Sequence, residues 1–98
     1  MQKRDYLIIL YDYYGELLNE DNRKYFEDYY FDNLSLGEIS NNNNISRNAV
    51  HKHVKSCEEK LLFFEDKLKL YQKDEKLREI LNSVNDDKIR KEIEKIFD

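Results

Sequence analysis

Proline and tryptophan are absent from this 98-residue sequence, which also has only two glycines, one cysteine and one methionine. With no proline, and glycine only at Gly15 and Gly37, the chain has few points at which a helix must stop. Runs of β-branched residues are missing too, and helix formers dominate, so an all-α domain is expected. The single thiol, Cys57, excludes an internal disulfide and suits a reducing compartment, so a cytoplasmic location is expected. No apolar run approaches the roughly 20 residues of a membrane span, and the N-terminal residues lack the apolar core of a signal peptide. Membrane insertion is not expected. Carboxylates are plentiful, but none accompanies a plausible nucleophile or a glycine-rich phosphate loop, which points to a noncatalytic protein without a cofactor.

Basic charge is also scarce. The formal net charge is −4. Residues 1–38 hold four Lys/Arg against nine Asp/Glu, whereas residues 39–55 hold Arg47, Lys52 and Lys55 and no acid. The one basic, acid-free window therefore falls in a short stretch near the middle of the chain, as the footprint of a polyanion-binding element should. Three cations are few, and a single copy should bind nucleic acid weakly.

That window lies inside SLGEISNNNNISRNAVHKHVK, residues 35–55. Ser35 followed by Glu38 forms a capping-box pattern, and Ser46 can cap a second helix ten residues or so later. Short helix, turn and second helix make a helix-turn-helix, whose second helix reads nucleic acid. Arg47, Asn48, His51, Lys52 and Lys55 are the candidate contacts. Arg47 can fork onto guanine or phosphate, and Asn48 can pair with an adenine edge. The plain alternative is that these are ordinary polar residues on an exposed helix.

Around this motif the pattern is helical throughout. A first helix is expected from about Arg4 to Tyr14, stopped by Gly15, and a second from Glu20 to about Phe31, capped by Asn19. Tyr25, Phe26, Tyr29 and Tyr30 would form the inner face of the second. The capped helix over residues 36–42 buries Leu36 and Ile39, and the Asn41–Asn44 run makes the turn and a frayed end. From Arg47 to Tyr71, Val50, Val54, Cys57, Leu61, Phe64, Leu68 and Tyr71 alternate at four and three residues, predicting one helix of about 38 Å. Two amphipathic segments follow, marked by Leu77, Ile80, Leu81 and Val84, then by Ile89, Ile93, Ile96 and Phe97. Asn85-Asp86 separates them. Residues 1–72 would form the helix-turn-helix domain and 73–98 a helical extension of the same domain.

These residues resemble a known family. The aromatic-Gly-x-Leu-Leu segment at Tyr14–Leu18, the acidic-aromatic helix ending near Tyr30, Ser35-Leu36-x-Glu38-Ile39 and Ser46-Arg47-x-Ala49-Val50 look like the YlxM family of small bacterial proteins associated with the signal recognition particle. The similarity is good from about Leu7 to Leu68 and weaker through the tail. It implies a fold like sigma-factor region 4 and an accessory, regulatory part in protein targeting. The partners implied are the particle's GTPase, its RNA, or both; any effect on the GTPase would be regulatory. DNA is the alternative ligand, as for a transcription regulator using the same helix. A pure protein-interaction module is a third reading, and the acidic net charge favours it. At Asn48 the family usually has glutamine, so an amide is retained.

Other features have simpler explanations. His53 and Cys57 share metal-ligand spacing, but a structural site needs about four ligands, and Cys57 falls in the apolar seam. Of the eight tyrosines, Tyr11, Tyr14, Tyr25 and Tyr29 are expected in the core; Tyr13, and Tyr30 at the end of the second helix's inner face, are the better candidates for exposure. The acidic face around Glu16, Glu20, Asp21, Glu27 and Asp28 is solvated surface or a site for a basic partner. Finally, the distal half of the long helix, with Leu61, Phe64 and Leu68 beside Leu62 and Phe63, predicts a homodimer interface.

Overall fold

A computed structural model describes residues 1–97 and divides the chain at Leu68–Lys69 into two compact units. The first contains α1 (Lys3–Tyr14), a 3₁₀ turn (Gly15–Leu17), α2 (Glu20–Tyr30), α3 (Leu36–Asn43) and α4 (Arg47–Leu68). Among the described residues every regular element is helical.

α4 is the spine of this unit, with α1, α2 and α3 all packing on it. Its Val50, Val54, Cys57 and Leu61 face a core completed by Leu7, Leu10, Tyr14, Phe26 and Ile39. Tyr11 and Tyr30 stack on either side of Phe26, with centroids 4.7 and 4.4 Å away. Three phenol–carboxylate hydrogen bonds join the helices: Tyr11 to Glu27 (2.5 Å), Tyr14 to Glu65 (2.6 Å) and Tyr30 to Glu58 (2.5 Å). Arg4 ties the start of α1 to the end of α2, donating to the Tyr30 carbonyl and to Asn33 Oδ1 at 2.7 Å each.

Several boundaries differ from the sequence reading for identifiable reasons. α1 ends at Tyr14 with Gly15 as its C-cap, as expected, but Gly15 is right-handed (φ −56°) and opens a 3₁₀ turn where a left-handed cap is usual. α3 reaches Asn43, whose side-chain amide donates to the Ile39 carbonyl, and Asn44 supplies the left-handed cap at φ 55°. Tyr30 is buried rather than exposed, because its ring stacks on Phe26 and its hydroxyl turns to Glu58. The long helix ends at Leu68 because Lys69 takes the left-handed region at φ 57°. Tyr71 therefore lies in the next helix.

The second unit contains α5 (Leu70–Asn82), α6 (Asp87–Glu94) and a 3₁₀ turn (Lys95–Phe97). Asp86 caps α6 by accepting from the Lys88 and Ile89 amides. Arg78 lies over the Phe97 ring at 4.1 Å. Leu81 is the one buried side chain among the unit's described residues.

Candidate nucleic-acid interface

Both caps of the helix-turn-helix form as their residue types require. Ser35 Oγ accepts from the Glu38 amide at 3.0 Å, and Glu38 Oε1 accepts from the Ser35 amide at 3.1 Å, completing the capping box. Ser46 Oγ accepts from the Ala49 amide at 3.0 Å and opens α4. Between them, Ser40 Oγ donates to the Ile45 carbonyl, and the Ile45 amide returns to the Ser40 carbonyl, closing the turn. The Asn41–Asn44 stretch is thus a helix end with a defined cap.

The burial of Val50, Val54 and Cys57 settles which side of α4 faces outward. At 3.6 residues per turn, Asn48, Lys52 and Lys55 lie on the opposite face and His51 on its flank, while Arg47, in the first turn, is left open at the helix start; all five are exposed. No acid stands in the first turn. Arg47 leans toward α3: its Nε lies 4.0 Å from where a Cβ on Gly37 would stand. The two helix starts therefore lie close together, with a guanidinium beside them. The arrangement is one cationic, hydrogen-bonding face about 12 Å long, from 1.5 Å per residue over Arg47 to Lys55. Its cations and amide are of the chemistry that meets phosphates and base edges.

His53 and Cys57 turn inward. His53 Nδ1 lies 2.8 Å from Asn22 Oδ1 with its ring 4.9 Å from that of Tyr25, and the Cys57 thiol donates to the Asn22 carbonyl at 3.1 Å. Burial pushes the Cys57 thiol up to about 11. These contacts fix α2 against α4 and thereby hold the outward face in place. Tyr11, Tyr13, Tyr25 and Tyr29 are half-buried, and Tyr14 is buried.

The sequence-predicted dimer residues are not brought together on a free face. Leu61 has no exposed surface, because it fills the core of its own protomer. Phe64 is half-buried against Tyr14, with centroids 5.9 Å apart. Leu68 is exposed, as are Leu62 and Phe63. The seam at spacings of four and three is an intramolecular core stripe for most of its length. One cation near the motif escaped the sequence reading: Lys24 Nζ donates to Asn43 Oδ1 at 2.6 Å, beside the end of α3. Nothing in the spacing of Lys24 within α2 indicates this placement.

The sequence profile of the family described as "Putative helix-turn-helix protein, YlxM / p13 like" matches residues 1–98. The chain belongs to this YlxM-like family. A UPF0122 protein of Fusobacterium nucleatum is 38% identical over 89 residues, covering 91% of this chain and 86% of the relative. One from Thermoanaerobacter sp. is 45% identical over 89 residues, covering 91% and 72%, and one from Malacoplasma penetrans is 40% identical over 81 residues, covering 83% and 76%. The helix-turn-helix in the YlxM-like family's description corresponds here to α3, the turn through Asn44 and the start of α4. No helix among the described residues is long and apolar enough to cross a membrane.

Proposed function

We propose that this chain is a noncatalytic regulator that binds nucleic acid through the start of α4 and serves as an accessory protein of the signal recognition particle pathway in the cytoplasm. The observation that carries the nucleic-acid part is the acid-free outer face of α4. It presents Arg47, Asn48, His51, Lys52 and Lys55 to solvent on a helix whose other side is locked into the core. The link to the particle rests on the resemblance of the helix-turn-helix and the preceding acidic-aromatic helix to YlxM. Its partners would be the particle's RNA, its GTPase, or both.

Fluorescence anisotropy tests the nucleic-acid part, with particle RNA, an unrelated RNA of equal length and duplex DNA as probes. Selective binding to particle RNA that weakens in Arg47→Ala and Lys52→Ala is the expected result. Equal, weak binding to all three probes, unaffected by either change, would overturn it. Recovery of particle components from lysate before and after nuclease treatment then separates an RNA tether from direct protein contact.

A DNA-reading role has one observation in its favour: Arg47 and Asn48, both suited to base edges, stand exposed in the first turn of α4. It predicts that Arg47→Ala relaxes preference at one base pair of a selected duplex.

A further inference from the structure

A second basic surface lies far from the helix-turn-helix in sequence. Lys69, Lys73, Lys76 and Ile80 recur at spacings of four, three and four, so they share one side of α5. With Gln72 and Leu77 they line a shallow groove of about 560 Å³ that contains no carboxylate. Its rim is basic and its floor apolar, and Ile80 stays 54% exposed. A unit whose described residues bury only Leu81 has little core of its own and needs further cover.

A surface of opposite character lies on the first unit. Asp12, Glu27 and Asp32 surround Tyr11 and Phe31 in a recess of about 350 Å³, where Phe31 is 44% exposed. Of the two cations of α2, Arg23 stands at the edge of this recess, its Nε donating to the Tyr11 hydroxyl at 3.2 Å, and Lys24 donates to Asn43, so the three carboxylates still outnumber the one guanidinium beside them.

We propose that the lysine-rimmed groove of α5 receives the acidic, phenylalanine-centred recess beside α2 of a second copy of this chain. Ammonium groups meet carboxylates at the rim, while Ile80 and Leu77 meet Phe31 at the centre. The match in both charge and polarity makes another copy the favoured occupant. A polyanion would use the lysines and leave the apolar floor against phosphate. The contact is heterologous, joining two different patches, so its strength depends on protein concentration and falls with salt.

Sedimentation equilibrium of the full chain tests this with two charge-reversed variants at exposed positions, Lys73→Glu/Lys76→Glu and Asp12→Lys/Asp32→Lys. Circular dichroism confirms that each retains its helix content. Wild-type protein is expected to self-associate by about 100 µM and to dissociate as salt rises. Either variant alone should associate at least about tenfold more weakly. An equimolar mixture of the two should recover association, because reversed rim meets reversed rim and native meets native. A wild-type monomer at the highest concentration overturns the proposal. So does association that ignores both reversals but is lost in Phe63→Glu, which would place the interface on the exposed end of α4. The proposal fails as well if the lysine variant loses binding to poly-uridine RNA or to anionic vesicles while self-association is unchanged.

Discussion

If the exposed start of α4 is the nucleic-acid site proposed above, its cations set how binding depends on salt. Three permanent cations, Arg47, Lys52 and Lys55, are exposed there, so at most three phosphates are neutralised by this face. Counterion release then sets a slope of log affinity against log salt of about −2.7 for a duplex or about −2.1 for a single strand. Raising salt from 50 to 200 mM should weaken binding about 20–40-fold, against about 10³-fold or more for a protein making six or more phosphate contacts. Lys52→Ala removes one contact, lowers the slope by about 0.7–0.9 and reduces the same loss to about 7–12-fold. Fluorescence anisotropy at five salt concentrations measures both slopes. A wild-type slope well beyond −3 would refute the reasoning, since cations outside this face would then carry the binding. An unchanged slope in Lys52→Ala would refute it equally.

Other consequences concern the scaffold. Ser46→Ala removes the oxygen that caps α4 and should cost about 1 kcal/mol in urea unfolding. The two glycines should respond in opposite directions to alanine. A Cβ at Gly37 meets nothing nearer than 3.8 Å, so Gly37→Ala should stabilise by up to about 1 kcal/mol. At Gly15 a Cβ would stand 3.0–3.2 Å from the Tyr11 ring, which is held by Phe26 and Glu27, so Gly15→Ala should cost about 1–3 kcal/mol. Alkaline pH should weaken the first unit. The Cys57 thiol is pushed by burial from 9.0 to about 11, so its contribution is complete below pH 9 and is lost as pH rises toward 11. Thermal melts of Cys57→Ala should show a flatter decline across pH 9–10 than wild type, and equal slopes there would contradict this assignment.

The helix-turn-helix was legible because its signals are local. Ser35, Glu38 and Ser46 each act within three residues, and the structure forms all the hydrogen bonds their positions suggest. The outward placement of Asn48, Lys52 and Lys55 was likewise readable, since apolar Val50, Val54 and Cys57 orient the helix. The break at Lys69 was not. No glycine, proline or asparagine stands between Asn48 and Asn82, so the end of α4 has no local marker. The role of Leu61 was also hidden, because period alone cannot distinguish a stripe that meets its own chain from one that meets another. Long-range polar pairs such as Tyr30–Glu58 and Lys24–Asn43 depend on tertiary placement and leave no trace in spacing.

The helix that would meet a ligand is also the beam to which the rest of the first unit is fastened. No flexible joint separates the ligand-facing turns of α4 from Val50, Val54 and Leu61 at the centre of the core. Capture of a ligand by Arg47 and Lys52 would therefore brace the whole four-helix body, and amide protons as distant as those of α1 should exchange more slowly in the complex. By the same coupling, a defect at Phe26 or Leu10 would be felt as poorer affinity even though neither side chain reaches the surface.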